Sequence, residues 1–110
     1  MTLTELRDRA YNNSVAHGFE NNNFVERLCL IHSEVSEALE CYREGALPHA
    51  EDYLIDKQGE QKPLGIPSEL ADIIIRVLDT CGAYHIDIEK AVLAKMAYNE
   101  TRPFMHGKKL

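Results

Sequence analysis

Apolar residues recur at helical spacing in four segments of the chain, and Gly, Pro or Asn punctuates the gaps between them. In the first segment Leu3, Leu6, Ala10 and Val15 trace a weakly amphipathic stripe. Thr2 with Glu5 has the spacing of a capping box and Gly18 suits a C-cap, so this helix is expected to end near His17-Gly18. The second segment is the strongest. After the polar run Asn21-Asn22-Asn23, which can supply an N-cap, the residues Phe24, Leu28, Ile31, Val35, Ala38 and Tyr42 alternate spacings of four and three until Gly45. Pro67 opens a third helix carrying Leu70, Ile73, Ile74, Val77, Leu78 and Cys81, expected to stop around Gly82. Asp87 then caps a fourth helix through Ile88, Val92 and Met96 until Pro103.

Between the second and third helices, residues 46–66 hold Pro48, Gly59, Pro63 and Gly65, which disfavour a continuous helix. A connector of about twenty residues is long for a compact bundle and points to a functional element. Tyr53-Leu54-Ile55 ahead of Lys57-Gln58-Gly59-Glu60 suits a small hairpin or lid. No internal repeat or low-complexity boundary interrupts the pattern, so residues 1–110 read as one all-α domain, a four-helix bundle with a long connector between helices two and three.

At 110 residues such a domain buries about two-thirds of its unfolded surface, enough for a modest core that oligomerisation would enlarge. The formal net charge of -6 argues against nucleic acid held on a broad basic surface, because that mode replaces phosphate counterions with Lys and Arg. Three cysteines, Cys29, Cys41 and Cys81, lie inside apolar helical patterns and read as reduced, buried thiols of a cytoplasmic protein. No leader-like N-terminal segment and no run near ~20 apolar residues points to secretion or membrane insertion.

The chemistry lies in two acidic couplets, Glu34/Glu37 and Glu69/Asp72, each spaced three apart on a helix. That spacing puts both carboxylates of a couplet on one face, Cβ atoms about 5–6 Å apart. Each couplet sits one residue ahead of two apolar positions, Val35/Ala38 and Leu70/Ile73. Two helices packed side by side would therefore gather four carboxylates at the margin of their stripes. Such a cluster repels itself unless neutralised, and a hard divalent cation such as Mg²⁺ is the usual oxygen-seeking partner. One acidic pair on a solvated helix is commonplace; two in the same phase favour metal. No Glu-x-x-His accompanies either couplet, which disfavours a di-iron bundle.

On the fourth helix Lys95, Asn99 and Arg102 share a face, where they either answer the helix dipole or reach phosphate groups. Cys29 with His32 lacks the second couplet that zinc would need. Tyr53 and Tyr98 are candidates for base stacking or for ordinary packing, and His106-Gly107-Lys108-Lys109 for a phosphate-closing tail or a frayed one.

The order Glu34-x-x-Glu37, long connector, Glu69-x-x-Asp72, then Lys95 through Pro103 and His106-Gly107-Lys108-Lys109 resembles the MazG-like all-α nucleoside triphosphate pyrophosphohydrolases, with Tyr42-Arg43 and Gly65-Ile66-Pro67 in familiar places. The resemblance implies a Mg²⁺-dependent cut between the α and β phosphates of a nucleotide, with Mn²⁺ as a substitute ion, releasing monophosphate and pyrophosphate. It assigns Glu34, Glu37, Glu69 and Asp72 to metal, Glu34 or Glu37 to proton transfer, and Lys95, Asn99 and Arg102 to the substrate. Many relatives carry a further Glu where this chain has Ser33. A homodimer or homotetramer is implied as well. A selective dUTP or dCTP hydrolase, the phosphoribosyl-ATP pyrophosphohydrolase of histidine synthesis, and a non-catalytic helical regulatory or assembly protein are the rival readings.

Overall fold

The structure, a computed structural model, describes residues 1–19 and 22–107. It is mostly helical: α1 (Leu3–Ala16), α2 (Phe24–Arg43), α3 (Ile66–Ala83) and α4 (Ile88–Glu100), with a hairpin of β1 (Asp52–Ile55) and β2 (Gln61–Leu64) between α2 and α3 and a 3₁₀ turn at Phe104–Gly107. Among the described residues no helix is long and apolar enough to cross a membrane.

Local chemistry starts each helix where the pattern places it. Thr2 and Glu5 close the capping box reciprocally. Asn23 accepts from the Glu26 amide at 2.8 Å and Asp87 from the Lys90 amide at 3.1 Å. The connector hairpin is antiparallel, Asp52 facing Leu64 and Ile55 facing Gln61. Asp56 stitches its turn by accepting from the amides of Gln58 and Glu60. Gly65, at φ 90°, passes so close to the Ala50 carbonyl that a Cβ would meet it at 2.9 Å, which pins the connector against the start of α3.

Helix α3 is central, with α1 and α2 packed along it. Its partners in α2 run in opposite order: Phe24 meets Tyr84 edge to face at 5.0 Å, Arg27 pairs with Asp79 at 3.0 Å, and Glu34 with Arg76 at 3.1 Å. The two helices are thus antiparallel, joined by one buried and one half-buried ion pair. Helix α3 ends at Ala83, one residue past Gly82, as expected. That glycine lies inside the helix, against Tyr11 of α1, and a Cβ there would come 2.9 Å from the Tyr11 Cγ. Its role is close helix approach, which sequence position alone does not distinguish from a C-cap.

Helix α4 makes its main contact with α1. Glu89 accepts from the Leu3 amide at 3.1 Å and the Thr4 hydroxyl at 3.3 Å, satisfying donors at the positive end of α1, while Arg7 donates to the Ile86 carbonyl. The rest of α4 stands in solvent.

The expected core is corrected in one respect. Helix α2 turns Arg27, Ile31, Glu34, Ala38 and Cys41 inward and leaves Phe24, Leu28, Val35 and Tyr42 exposed. In α3, Leu78 and Cys81 are buried but Leu70 and Ile74 are not; Cys29 is exposed, contrary to the buried thiol expected there. The buried apolar residues among those described are Ile66, Leu78 and Cys81. The radius of gyration is 16.6 Å, against about 13 Å for a compact domain of this length.

Candidate metal centre

Antiparallel packing of α2 on α3 brings the two acidic couplets to the same level. Glu34 is buried, Glu37 exposed and Glu69 half-buried, and each offers an oxygen within 4.8 Å of the others. Asp72, one turn on from Glu69 by helical spacing, borders the same two cavities as Glu37. Glu34 therefore sits in the helix interface rather than at its margin, because the inward face of α2 is rotated from the apolar stripe.

The carboxyls resist ionisation together. Glu37 titrates above its ordinary 4.5, first because it shares a hydrogen bond with Glu34 and then because the Glu34 charge repels its own. Glu69 is raised by burial and next by Asp72 and Glu34, with Lys62 pulling the other way. Asp72 is raised above 3.8 by burial and then by Glu34, opposed by Arg76 and Lys62. Raised acids close together gain from a cation that neutralises them.

Two cavities meet at these acids. One, of about 290 Å³, lies toward α1 and is lined by Ala10, Asn13, Ser14 and Phe19 with Glu34 and Asp79. The other, of about 610 Å³, lies between α3 and the hairpin and is lined by Tyr53, Lys62 and Ser68 with Glu37, Glu69 and Asp72. The chain matches no protein-family model, no curated protein and no solved structure. The geometry therefore carries the functional reading.

The all-oxygen donor set suits a hard cation. Glu34, Glu37 and Glu69, with oxygens within 4.8 Å of one another, are the residues that would hold such an ion. Glu34 Oε1 accepts from Arg76 Nε, so the Glu34 carboxylate is shared between Arg76 and its hydrogen bond with Glu37.

The fourth-helix candidates do not join this cluster within the chain. Neither cavity that the acids border has an α4 residue in its lining. Arg102 lies beyond the end of α4 at Glu100, and Lys95 and Arg102 lie over the Tyr98 ring, at 5.3 and 5.6 Å from its centroid. The cations beside the acids are Arg76 and Lys62. Arg76 could have been found at four residues beyond Asp72, on the same helical face; Lys62 could not, because its reach depends on the hairpin's fold. Tyr53 lines the hairpin cavity. His32 is exposed with Cys29. Lys108 and Lys109 lie outside the described residues.

Proposed function

We propose that this chain is a Mg²⁺-dependent, MazG-like nucleoside triphosphate pyrophosphohydrolase of the all-α type, acting in the cytoplasm on (deoxy)nucleoside triphosphates in nucleotide-pool housekeeping. The observation that carries the reading is the convergence of Glu34, Glu37 and Glu69 oxygens within 4.8 Å, from two couplets on antiparallel helices, with cavities on either side. In the reaction a water oxygen attacks the α phosphorus, the bond from that phosphorus to the α–β bridging oxygen breaks, and the electron pair leaves on pyrophosphate. Bound Mg²⁺ would supply charge neutralisation and a more acidic water.

The chain's own residues divide the remaining tasks. Glu34, Glu37, Glu69 and Asp72 hold the ion. Glu37 is the better proton acceptor of the first couplet, since Glu34 has one oxygen committed to Arg76 and Glu37 is open to solvent. Lys95, Asn99 and Arg102 enter the site from a second copy of the chain, in a homodimer or homotetramer that buries the apolar residues one chain leaves bare. The exposed Val35, Leu39, Leu70 and Ile74 of α2 and α3 support that assembly. A non-catalytic helical protein is the alternative favoured by one observation, the separation of the α4 cations from the acids within the chain.

The deciding experiment is product analysis with a panel of ribo- and deoxynucleoside triphosphates in Mg²⁺, resolving pyrophosphate from orthophosphate. Monophosphate with pyrophosphate, lost in Glu37→Gln, is the expected result, and the panel separates a broad enzyme from a dUTP or dCTP specialist. No turnover with any nucleotide, together with unaltered melting in Mg²⁺, would favour the non-catalytic protein.

A further inference from the structure

The cavity between α3 and the hairpin has two unlike walls. Glu37, Glu69 and Asp72 lie on the helical one, with Ser68 beside Glu69 on α3; the hairpin contributes Tyr53 from β1 and Lys62 from β2. Lys62 is the cation of this lining, and it forms no ion pair with another described residue. Arg76, the cation of the smaller cavity, is by contrast bonded to Glu34. The Lys62 charge acts on Glu69 and Asp72 without a close ion pair to either, which leaves room for a ligand that bears both a cation for the acids and an anion for the lysine.

The wall is held in place, not left to drift. Gly65 is pressed to the Ala50 carbonyl, Ser68 Oγ donates to the Pro63 carbonyl at 3.2 Å, and β2 packs against α3. The register puts Lys62 opposite Leu54 and Tyr53 opposite Pro63. Glu51 and Asp52 also border the cavity, so its lining is acidic on balance and a bare polyphosphate would be repelled. A polyphosphate already complexed with Mg²⁺ carries less negative charge and would be repelled less.

We propose that the β1–β2 hairpin is the phosphate-gripping arm of the site, with Lys62 contacting the leaving β,γ-pyrophosphate of a Mg²⁺-bound nucleoside triphosphate. This rests on the pyrophosphohydrolase reading and adds to it a residue of the connector, on a wall that the α4 cations do not reach within the chain. The lysine steadies the charge that gathers on the departing oxygen, and water supplies the other product's new oxygen.

The test is calorimetric titration of inorganic pyrophosphate in saturating Mg²⁺ into the full chain, its Lys62→Ala variant and its Lys62→Arg variant, alongside turnover of the nucleotide panel. Lys62 is exposed, so both variants should fold; Mg²⁺ affinity is measured separately, so that a change acting through the charges of Glu69 and Asp72 is told apart from loss of the phosphate contact. The expected result is pyrophosphate binding weakened about tenfold or more in Lys62→Ala, the size of one charge-assisted contact, and largely restored in Lys62→Arg. Equal binding in the wild type and Lys62→Ala would overturn the arm, and nucleotide turnover by the wild type would show that the reaction reading survives it. A wild type that binds no Mg²⁺-pyrophosphate overturns the arm outright. Binding through Lys62 with no hydrolysis of any nucleotide would support the arm and sink the reaction.

Discussion

Arg76 Nε donates to Glu34 Oε1 across 3.1 Å, tying α3 to α2 beside the acid cluster. The guanidinium is the fixed counterion of a carboxylate whose residue is only 8% exposed. Arg76→Ala should therefore cost about 1.5–3 kcal/mol in metal-free protein, the range for a hydrogen bond to a charged group. Mg²⁺ at a hundredfold excess over its Kd should stabilise the wild type by about 2.7 kcal/mol. It should raise the variant's melting temperature at least as much, because the ion takes over the lost neutralisation. Thermal melts with chelator and with Mg²⁺ check both; a variant that melts like the wild type in each buffer would contradict the role given to Arg76.

The pH dependence of the metal-free protein follows from the raised carboxyls. Glu37, Glu69 and Asp72 titrate higher in the fold than in the unfolded chain, so their ionisation opposes folding. Their contribution to stability is complete below the ordinary values of 4.5 and 3.8 and is lost as pH rises through the raised ones. Melts in chelator from about pH 4 to about pH 8 should show this loss, flattened in Glu37→Gln and Asp72→Asn. Identical pH profiles for wild type and variants would remove the electrostatic argument for a metal.

Gly82 sets the distance between α1 and α3. Gly82→Ala forces a methyl group against Tyr11 and should destabilise by about 1–3 kcal/mol, in spite of alanine's better helix propensity. Combining it with Tyr11→Ala should cost less than the two single changes added together, measured by denaturant unfolding. Strict additivity would mean that the two residues do not press on each other.

Assembly predicts its own loss. Val35, Leu39 and Tyr42 stand exposed on one side of α2, Leu39 at 51%. Light scattering should give a dimer or tetramer mass, and Leu39→Glu should shift it toward the single chain, because a buried charge there would have no partner. A wild-type monomer at high concentration would exclude second-copy delivery of Lys95, Asn99 and Arg102.

The helices and their starts were legible because they rest on short-range chemistry: Thr2 with Glu5, Asn23 with Glu26, Asp87 with Lys90. The hairpin was legible from its turn residues. The facing of α2 was not, because that helix is apolar on more than one side and periodicity cannot say which side meets α3. Arg27 buried at 3% exposure and Glu34 at 8% break the rule that interiors are hydrocarbon, and only their partners Asp79 and Arg76 make the exception intelligible. The acid couplets were found by spacing, which survives an error in rotation. The destination of Lys95 and Arg102 was not, since it depends on where α4 docks, and Glu89 of α4 ties that helix to Leu3 and Thr4 on the first turn of α1.

That docking gives the molecule a latch whose two halves lie 86 residues apart in sequence. Closing so wide a ring is an entropic cost met only after α1 has settled on α3, so α4 should attach last and detach first, with the Leu3 amide exchanging ahead of the α3 interior. Anything that disturbs the first turn, a fused tag or a trimmed end included, should act on the opposite end of the chain by letting the Lys95, Tyr98 and Arg102 face swing away from the body.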